Sequence, residues 1–237
     1  MSTTRHAPPA VRRATPSRAV VPRAVLPAAL SAVLGLSALA AVAWPARESL
    51  FEQVAGGAAR SPLAGLAGLV ADKGLLALVV ITACLAVFTW RRDRSRFGLL
   101  AAAGVGTLCA YGTSEVVKLM VAQERPCRVG EVATVLDCPP PGDWSWPSNH
   151  STIAGALAVA CLLVAPRLWL MVVPLALAVA GARVAAGVHH VHDVASGLAL
   201  GVLVTCLVGL CVHAGVQRVT RRSTSRRSPE ARRTTGR

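Results

Sequence analysis

Six stretches of this chain are too apolar to be left in water. The first, Ala24 to Trp44, is an uncharged run of 21 residues, close to the ~20 that a helix needs to cross a bilayer. Gly74 to Trp90, Phe97 to Ser114, Ser151 to Ala165, Leu168 to Ala182 and Val194 to Val212 follow. Several are short for a span. The charged residues that bound them, Lys118, Arg183 and Asp193, are therefore expected at the mouth of a polar cavity, with each helix continuing past its apolar part. With 54% hydrophobic and 15% charged residues, the chain falls outside the range of soluble domains, and its middle is too apolar for disorder. The expected fold is all-α, a polytopic membrane bundle of six transmembrane helices.

The net charge of +14 is an arginine charge, since Lys73 and Lys118 are the only lysines among 25 basic residues. Residues 1–23 hold Arg5, Arg12, Arg13, Arg18 and Arg23 without an acid, and residues 218–237 hold eight Arg against Glu230. Both tails lack hydrophobic periodicity, so 1–23 and 214–237 are expected to be disordered segments flanking a membrane domain at 24–213. No aromatic residues interleave with the Arg and no nucleic-acid motif occurs, so the expected partner of the tails is anionic lipid rather than nucleic acid.

Orientation follows from Arg beside the span ends. Six crossings place both tails, the loop of Arg91, Arg92, Arg94 and Arg96, and the Pro166-Arg167 turn on the cytoplasmic side. Loops 45–73 and 121–150 then face out with a mixed or acidic balance. Ser61 to Ala71 is apolar but too short to span and is expected to form an interfacial helix or a lid. The N-terminal Arg followed by an apolar run imitates a secretory signal, but the run exceeds the ~7 to 15 residues of a signal core, so an uncleaved span in an inner membrane is expected. Five of seven cysteines lie in spans. Cys127 and Cys138 share an outward loop and are expected to form a disulfide there.

Three polar clusters remain, separated by whole spans. Lys118 and Arg125-Pro126 end the third span, where Lys118 taken alone reads as a partner of Glu115 at i,i+3. Pro147-Ser148-Asn149-His150 opens the fourth span, a helix N-terminus with free amides that suits an anion. Arg183, His189, His190, His192 and Asp193 lie between the fifth and sixth. His189 and Asp193 are i,i+4, so on a helical turn the carboxylate fixes the imidazole tautomer and frees the other nitrogen as nucleophile. All three clusters fall on one side of the membrane. Fixed cations, amide donors, two imidazoles and one orienting carboxylate together suit phosphoryl transfer.

With these residues in view, the sequence resembles the type 2 phosphatidic acid phosphatase superfamily, the lipid phosphate phosphatases related to vanadium-dependent haloperoxidases. Lys, six residues, Arg-Pro matches Lys118 and Arg125-Pro126. Pro-Ser-Gly-His matches Pro147, Ser148 and His150, with Asn149 where the family has Gly. Ser-Arg, five residues, His, three residues, Asp matches Arg183, His189 and Asp193, with Ala182 where the family has Ser. The resemblance covers residues 118–193.

It implies that His189 attacks phosphorus, that Asp193 orients His189, and that His150 protonates the leaving group and then activates water. Lys118, Arg125, Arg183 and the Ser148 and Asn149 amides are implied to hold the phosphate oxygens. Asn149 adds a side chain that narrows the pocket or tunes its selectivity, and Ala182 forfeits one hydrogen bond. His190 and His192 receive no catalytic role, although His192 is a rival metal ligand. No cofactor and no catalytic metal are expected. The implied reaction is hydrolysis of a lipid phosphate or diphosphate, namely a polyprenyl (di)phosphate, a phosphatidate or a phosphatidylglycerophosphate, at the non-cytoplasmic face. The rivals are phosphotransfer to another acceptor in the same pocket, a haloperoxidase, a degenerate scaffold, and a non-enzymatic metal or haem protein using His150, His189 and His192.

Overall fold

A computed structural model describes residues 21–130 and 132–233, with side chains through residue 220. Most of the N-terminal tail, Glu131 and residues 234–237 lie outside it. The described residues contain helices and no strand: α1 (Val25–Ala43), α2 (Arg47–Ala59), α3 (Ala64–Arg92), α4 (Arg94–Val121), the single turn α5 (Pro126–Val129), α6 (Asn149–Val164), α7 (Trp169–Ala185) and α8 (Val191–Arg233). Among them α1, α3, α4, α7 and α8 are long and apolar enough to cross a membrane, whereas α6 is a shorter apolar helix of 16 residues. Its shortness has a packing cause. Ser151, Ala154, Gly155, Ala158, Cys161 and Leu163 are among its buried residues, and α3, α4, α7 and α8 surround it, so its length is not set by the lipid.

Small residues line much of the helix interfaces, beside buried Leu78, Leu99 and Leu163. Leu30, Leu34, Leu108, Leu119 and Met120 are exposed, while Ala103, Ala110, Ala154 and Ala160 are buried. Apolar bulk faces hydrocarbon, and small residues let helices approach where no hydrophobic effect drives them together. The α6–α8 contact depends most on this. A Cβ on Gly155 would lie 2.6 Å from the Leu198 carbonyl oxygen, and one on Gly197 2.6 Å from that of Ser148.

Three expectations change. Ser61–Ala71 forms no separate lid, because from Ala64 onward it is continuous with α3. Asp72 and Lys73, where that apolar run stops, pair with each other at 2.9 Å on the helix surface. The covering element is instead α2, whose Phe51 is buried beside His190 with ring centroids 5.7 Å apart. Third, the backbone of α8 continues as helix to Arg233, through most of the segment expected to be disordered from 214.

Asp93 sets the hinge between α3 and α4, its carboxylate accepting from the amides of Ser95 and Arg96 at 3.0 and 3.1 Å, as an N-cap does. The end of α4, the start of α6, the end of α7 and the start of α8 meet at the other end of the bundle.

Candidate active site

Every cationic and imidazole residue of the three signatures lies at that end. Lys118 is in the last turn of α4, Arg125 precedes α5, His150 is the second residue of α6, and Arg183 is near the end of α7. Lys118, Arg125, Arg183, His189 and Asp193 are all buried. The charges of Arg183, Arg125 and Lys118 reach the ring of His150, and those of Arg125 and Arg183 reach His189.

His189 does not stand on a helix. It sits in the turn ahead of α8, a turn that Gly187 permits at φ +84°. Asp193 is the third residue of α8, and its Oδ2 accepts from the His190 amide at 2.8 Å, the reach-back of a capping box. The His189 Nδ1 is 3.4 Å from Oδ2 of Asp193. Ser145 Oγ stands between them, 3.3 Å from Nδ1 and donating to Oδ2.

On the far side of the His189 ring, Arg125 Nη1 lies 3.0 Å from Nε2 and donates to the Val188 carbonyl at 2.9 Å. A guanidinium can only donate, so Nε2 is the acceptor and Nδ1 carries the proton. Burial pushes the His189 pKa down from 6.5 to about 3, more than the Asp193 hydrogen bond restores, and Arg125 adds to the depression. The ring is thus neutral, with its lone pair aimed at a cation.

Asp143 was legible only as one of several charges in an outward loop. Its Oδ1 accepts from Arg125 Nη2 at 2.9 Å and lies 3.3 Å from Lys118 Nζ, and its backbone oxygen accepts from Arg125 Nε at 2.8 Å. Partial burial raises its pKa, but the Arg125 hydrogen bond and the charges of Arg125 and Lys118 outweigh that and hold it below 3.8. Lys118 therefore pairs with Asp143, while Glu115 accepts from Asn149 Nδ2. Cys127 and Cys138 form a disulfide, with Cα atoms 5.8 Å apart, inside the loop that carries Arg125 at one end and Asp143 at the other.

The α6 N-terminus differs from expectation in one respect. The Ser148 amide donates to the Asp193 carbonyl at 3.1 Å, docking α6 on α8, so it is not available to an anion. The Ser148 side chain does not cap the first turn, which leaves the amides from Asn149 onward as candidate donors. The Asn149 side chain turns to α4, accepting from Ser114 Oγ at 2.7 Å, and so ties two helices rather than narrowing the pocket. Arg183 donates weakly to the Ala71 carbonyl at 3.4 Å, while its Nε is buried without a hydrogen-bond partner. An orphaned guanidinium nitrogen is a donor awaiting an anion.

Gln123 also escaped sequence reading. It lies in the spacer of the first signature, and its Nε2 donates to Asp193 Oδ1 at 3.0 Å. No local pattern marks it or Ser145. Among the described residues, the side-chain group with metal-ligand spacing is His190, His192 and Asp193. It excludes His150 and His189, so the trio supposed for a metal or haem protein is not assembled.

Residues 98–216 match the family described as the PAP2 superfamily. An undecaprenyl-diphosphatase of Sulfolobus acidocaldarius is 34% identical over 124 residues, 52% of this chain and 57% of that protein. A decaprenylphosphoryl-5-phosphoribose phosphatase of Mycobacterium tuberculosis is 34% identical over 122 residues, 51% of this chain and 64% of that protein. The chain thus spans less than two thirds of the length of these curated relatives. The crystal structure of a transmembrane PAP2-type phosphatidylglycerolphosphate phosphatase from Bacillus subtilis superposes with a TM-score of 0.51 at 25% identity, covering 76% of this chain and 93% of that one.

Proposed function

The chain belongs to the PAP2 superfamily, and from that membership we propose that it is an integral membrane phosphatase acting on the phosphomonoester or diphosphate of a lipid at the non-cytoplasmic face. The observation that carries this reading is the 3.0 Å approach of Arg125 to Nε2 of a neutral, buried His189. A phosphate oxygen bound by Arg125 is held beside the atom that attacks.

In the proposed reaction the Nε2 lone pair attacks phosphorus while Lys118, Arg125, Arg183 and the first amides of α6 stabilise the equatorial oxygens. The bond from phosphorus to the leaving oxygen breaks, and His150, entering as the imidazolium that the bound phosphate's negative charge favours, gives that oxygen its proton. Asp193, supported by Ser145 and Gln123, stabilises the positive phosphohistidine. His150 then takes a proton from water as the water attacks phosphorus, the N–P bond breaks, and phosphate leaves. No step uses a metal or a cofactor.

Two of the named relatives carry polyprenyl substrates in their names, which favours a polyprenyl phosphate or diphosphate over phosphatidate or phosphatidylglycerophosphate. The Arg distribution supports six crossings, with α6 the enclosed short one, both termini cytoplasmic and the site at the outer edge of a plasma membrane, where a lipid enters laterally. It also supports a membrane domain at 24–213 with Arg-rich ends against anionic lipid.

The test is a phosphate-release panel over these lipids and soluble phosphate esters in detergent, with wild type and His189→Ala. Release from a lipid by wild type, abolished in the variant, is the expected result. Retained activity in His189→Ala refutes the assigned nucleophile. Preference for soluble esters refutes lateral entry, and transfer of phosphate to an acceptor without free phosphate refutes hydrolysis.

A further inference from the structure

We propose that His190, His192 and Asp193 form a binding site for a divalent transition-metal ion such as Zn²⁺, and that the ion inhibits phosphate release by drawing Asp193 away from His189. The inhibitory half rests on the phosphatase reading above; the binding half does not.

The donor atoms stand at coordination spacing. His192 Nε2 is 3.0 Å from Asp193 Oδ1, and His190 Nδ1 is 3.6 Å from Asp193 Oδ2. One donor atom from each of the three lies within 4.8 Å of the others. Two ligands of a tetrahedral ion at about 2.0–2.1 Å from the metal are roughly 3.3 Å apart; each imidazole stands near that spacing from one Asp193 oxygen, and an entering ion displaces Gln123, whose Nε2 lies 3.2 Å from His192 Nε2. The two imidazoles lie nearly parallel, with centroids 5.1 Å apart.

A second observation points to a ligand there. His190 Nδ1 is buried, in a residue 3% exposed, and has no hydrogen-bond partner. A buried polar atom left unpaired is costly, and coordination would satisfy it. The opposite nitrogen of the same ring, Nε2, is 3.4 Å from Glu48 Oε2 on α2. A carboxylate behind a ligating imidazole is the arrangement that fixes ring tautomer and raises ligand basicity in metal sites. A cavity of about 360 Å³ lined by Trp44, Gln123, Trp146, His192 and Ser196 adjoins the His192 side of the site.

The link to catalysis is the shared carboxylate. Asp193 Oδ2 lies 3.4 Å from His189 and 3.6 Å from His190, and its Oδ1 lies 3.0 Å from His192. Coordination neutralises its charge, and the positive phosphohistidine loses its stabilising partner. The ion would act as a brake on a reaction that does not need it.

The test uses the purified full chain, stripped with chelator. Zn²⁺ uptake is measured by equilibrium dialysis, the first coordination shell by X-ray absorption, and phosphate release across a Zn²⁺ titration. One Zn²⁺ per chain with imidazole nitrogen in its shell is expected, with parallel loss of phosphate release. His190→Asn combined with His192→Gln is expected to lose this uptake and to keep phosphate release at Zn²⁺ levels that stop wild type. Glu48 is exposed, so Glu48→Gln is a variant expected to fold, and about 10-fold weaker Zn²⁺ binding is expected from loss of the outer partner.

No uptake by wild type, or equal uptake by wild type and both variants, overturns the site. Uptake without inhibition overturns the brake. Because uptake is read without substrate, a chain that binds Zn²⁺ yet releases phosphate from no lipid overturns the phosphatase reading and the brake, and leaves the binding site standing.

Discussion

Asp143→Asn is expected to tighten the binding of phosphate-like anions. In the structure the carboxylate occupies the cations that the proposed reaction assigns to phosphate: 2.9 Å from Arg125 Nη2 and 3.3 Å from Lys118 Nζ, with those two side chains 3% and 6% exposed. An entering anion must displace it. At these distances a pair of unit charges is worth about 5–6 kcal/mol at an effective dielectric of 20. The Asp143 side chain, however, is 45% exposed, so each pair is discounted to about 0.5–1 kcal/mol. Together they cost a competing anion about 1–2 kcal/mol, or roughly 5- to 30-fold in affinity.

Asn keeps the shape and leaves the backbone oxygen that accepts from Arg125 Nε, while removing the charge. The assay is competitive inhibition by inorganic phosphate and by orthovanadate, in wild type and variant at neutral pH and fixed salt. The inhibition constants are expected to fall by that factor, with KM for a short-chain lipid phosphate falling in step. Because Arg125 and Lys118 hold the Asp143 pKa below 3.8, the difference persists through the acidic range and closes only as pH falls through that depressed value. Unchanged or weaker inhibition in the variant would show that Asp143 positions the cations rather than competing for them, and would refute the displacement reasoning.

Protonation of His189 supplies a stability test. Its folded pKa of about 3 lies below the ordinary 6.5, so its contribution is complete above about pH 6.5 and is lost as pH falls toward 3, at up to about 1.4 kcal/mol per pH unit. In His189→Asn the thermal midpoint in detergent is expected to fall less steeply across that window. A Cβ on Gly201 would collide with the Thr152 carbonyl oxygen, so Gly201→Ala is expected to cost about 1–3 kcal/mol or more, measured as a lowered thermal midpoint. Replacing both Cys127 and Cys138 by Ala frees the loop between Arg125 and Asp143; a stability loss of ~2–4 kcal/mol and a rise in KM larger than the fall in kcat are expected. Asn149→Ala removes the tie to Ser114 and Glu115 and is expected to lower phosphate release without changing which lipid is preferred.

The amino-acid order by itself determined which segments leave water, because transfer of an apolar helix is a property summed along the segment. It also marked the residues proposed to carry the chemistry, because Lys118 and Arg125-Pro126, or Arg183, His189 and Asp193, carry their spacing within one stretch of chain. Helix ends were less legible. Ser61–Ala71 looked separate because its apolar run stops at Asp72 and Lys73, whereas the helix backbone runs on through these two exposed charges.

Other features were decided by tertiary structure alone. Asp143 meets Arg125 across 18 residues, Ser145 meets Asp193 across 48, and Gln123 meets Asp193 across 70. The Ser148 amide, read as a phosphate donor, is taken by the Asp193 carbonyl. A hydrogen bond depends on where two groups are brought in space, and once a long loop or whole helices lie between them no periodicity in the chain records the meeting.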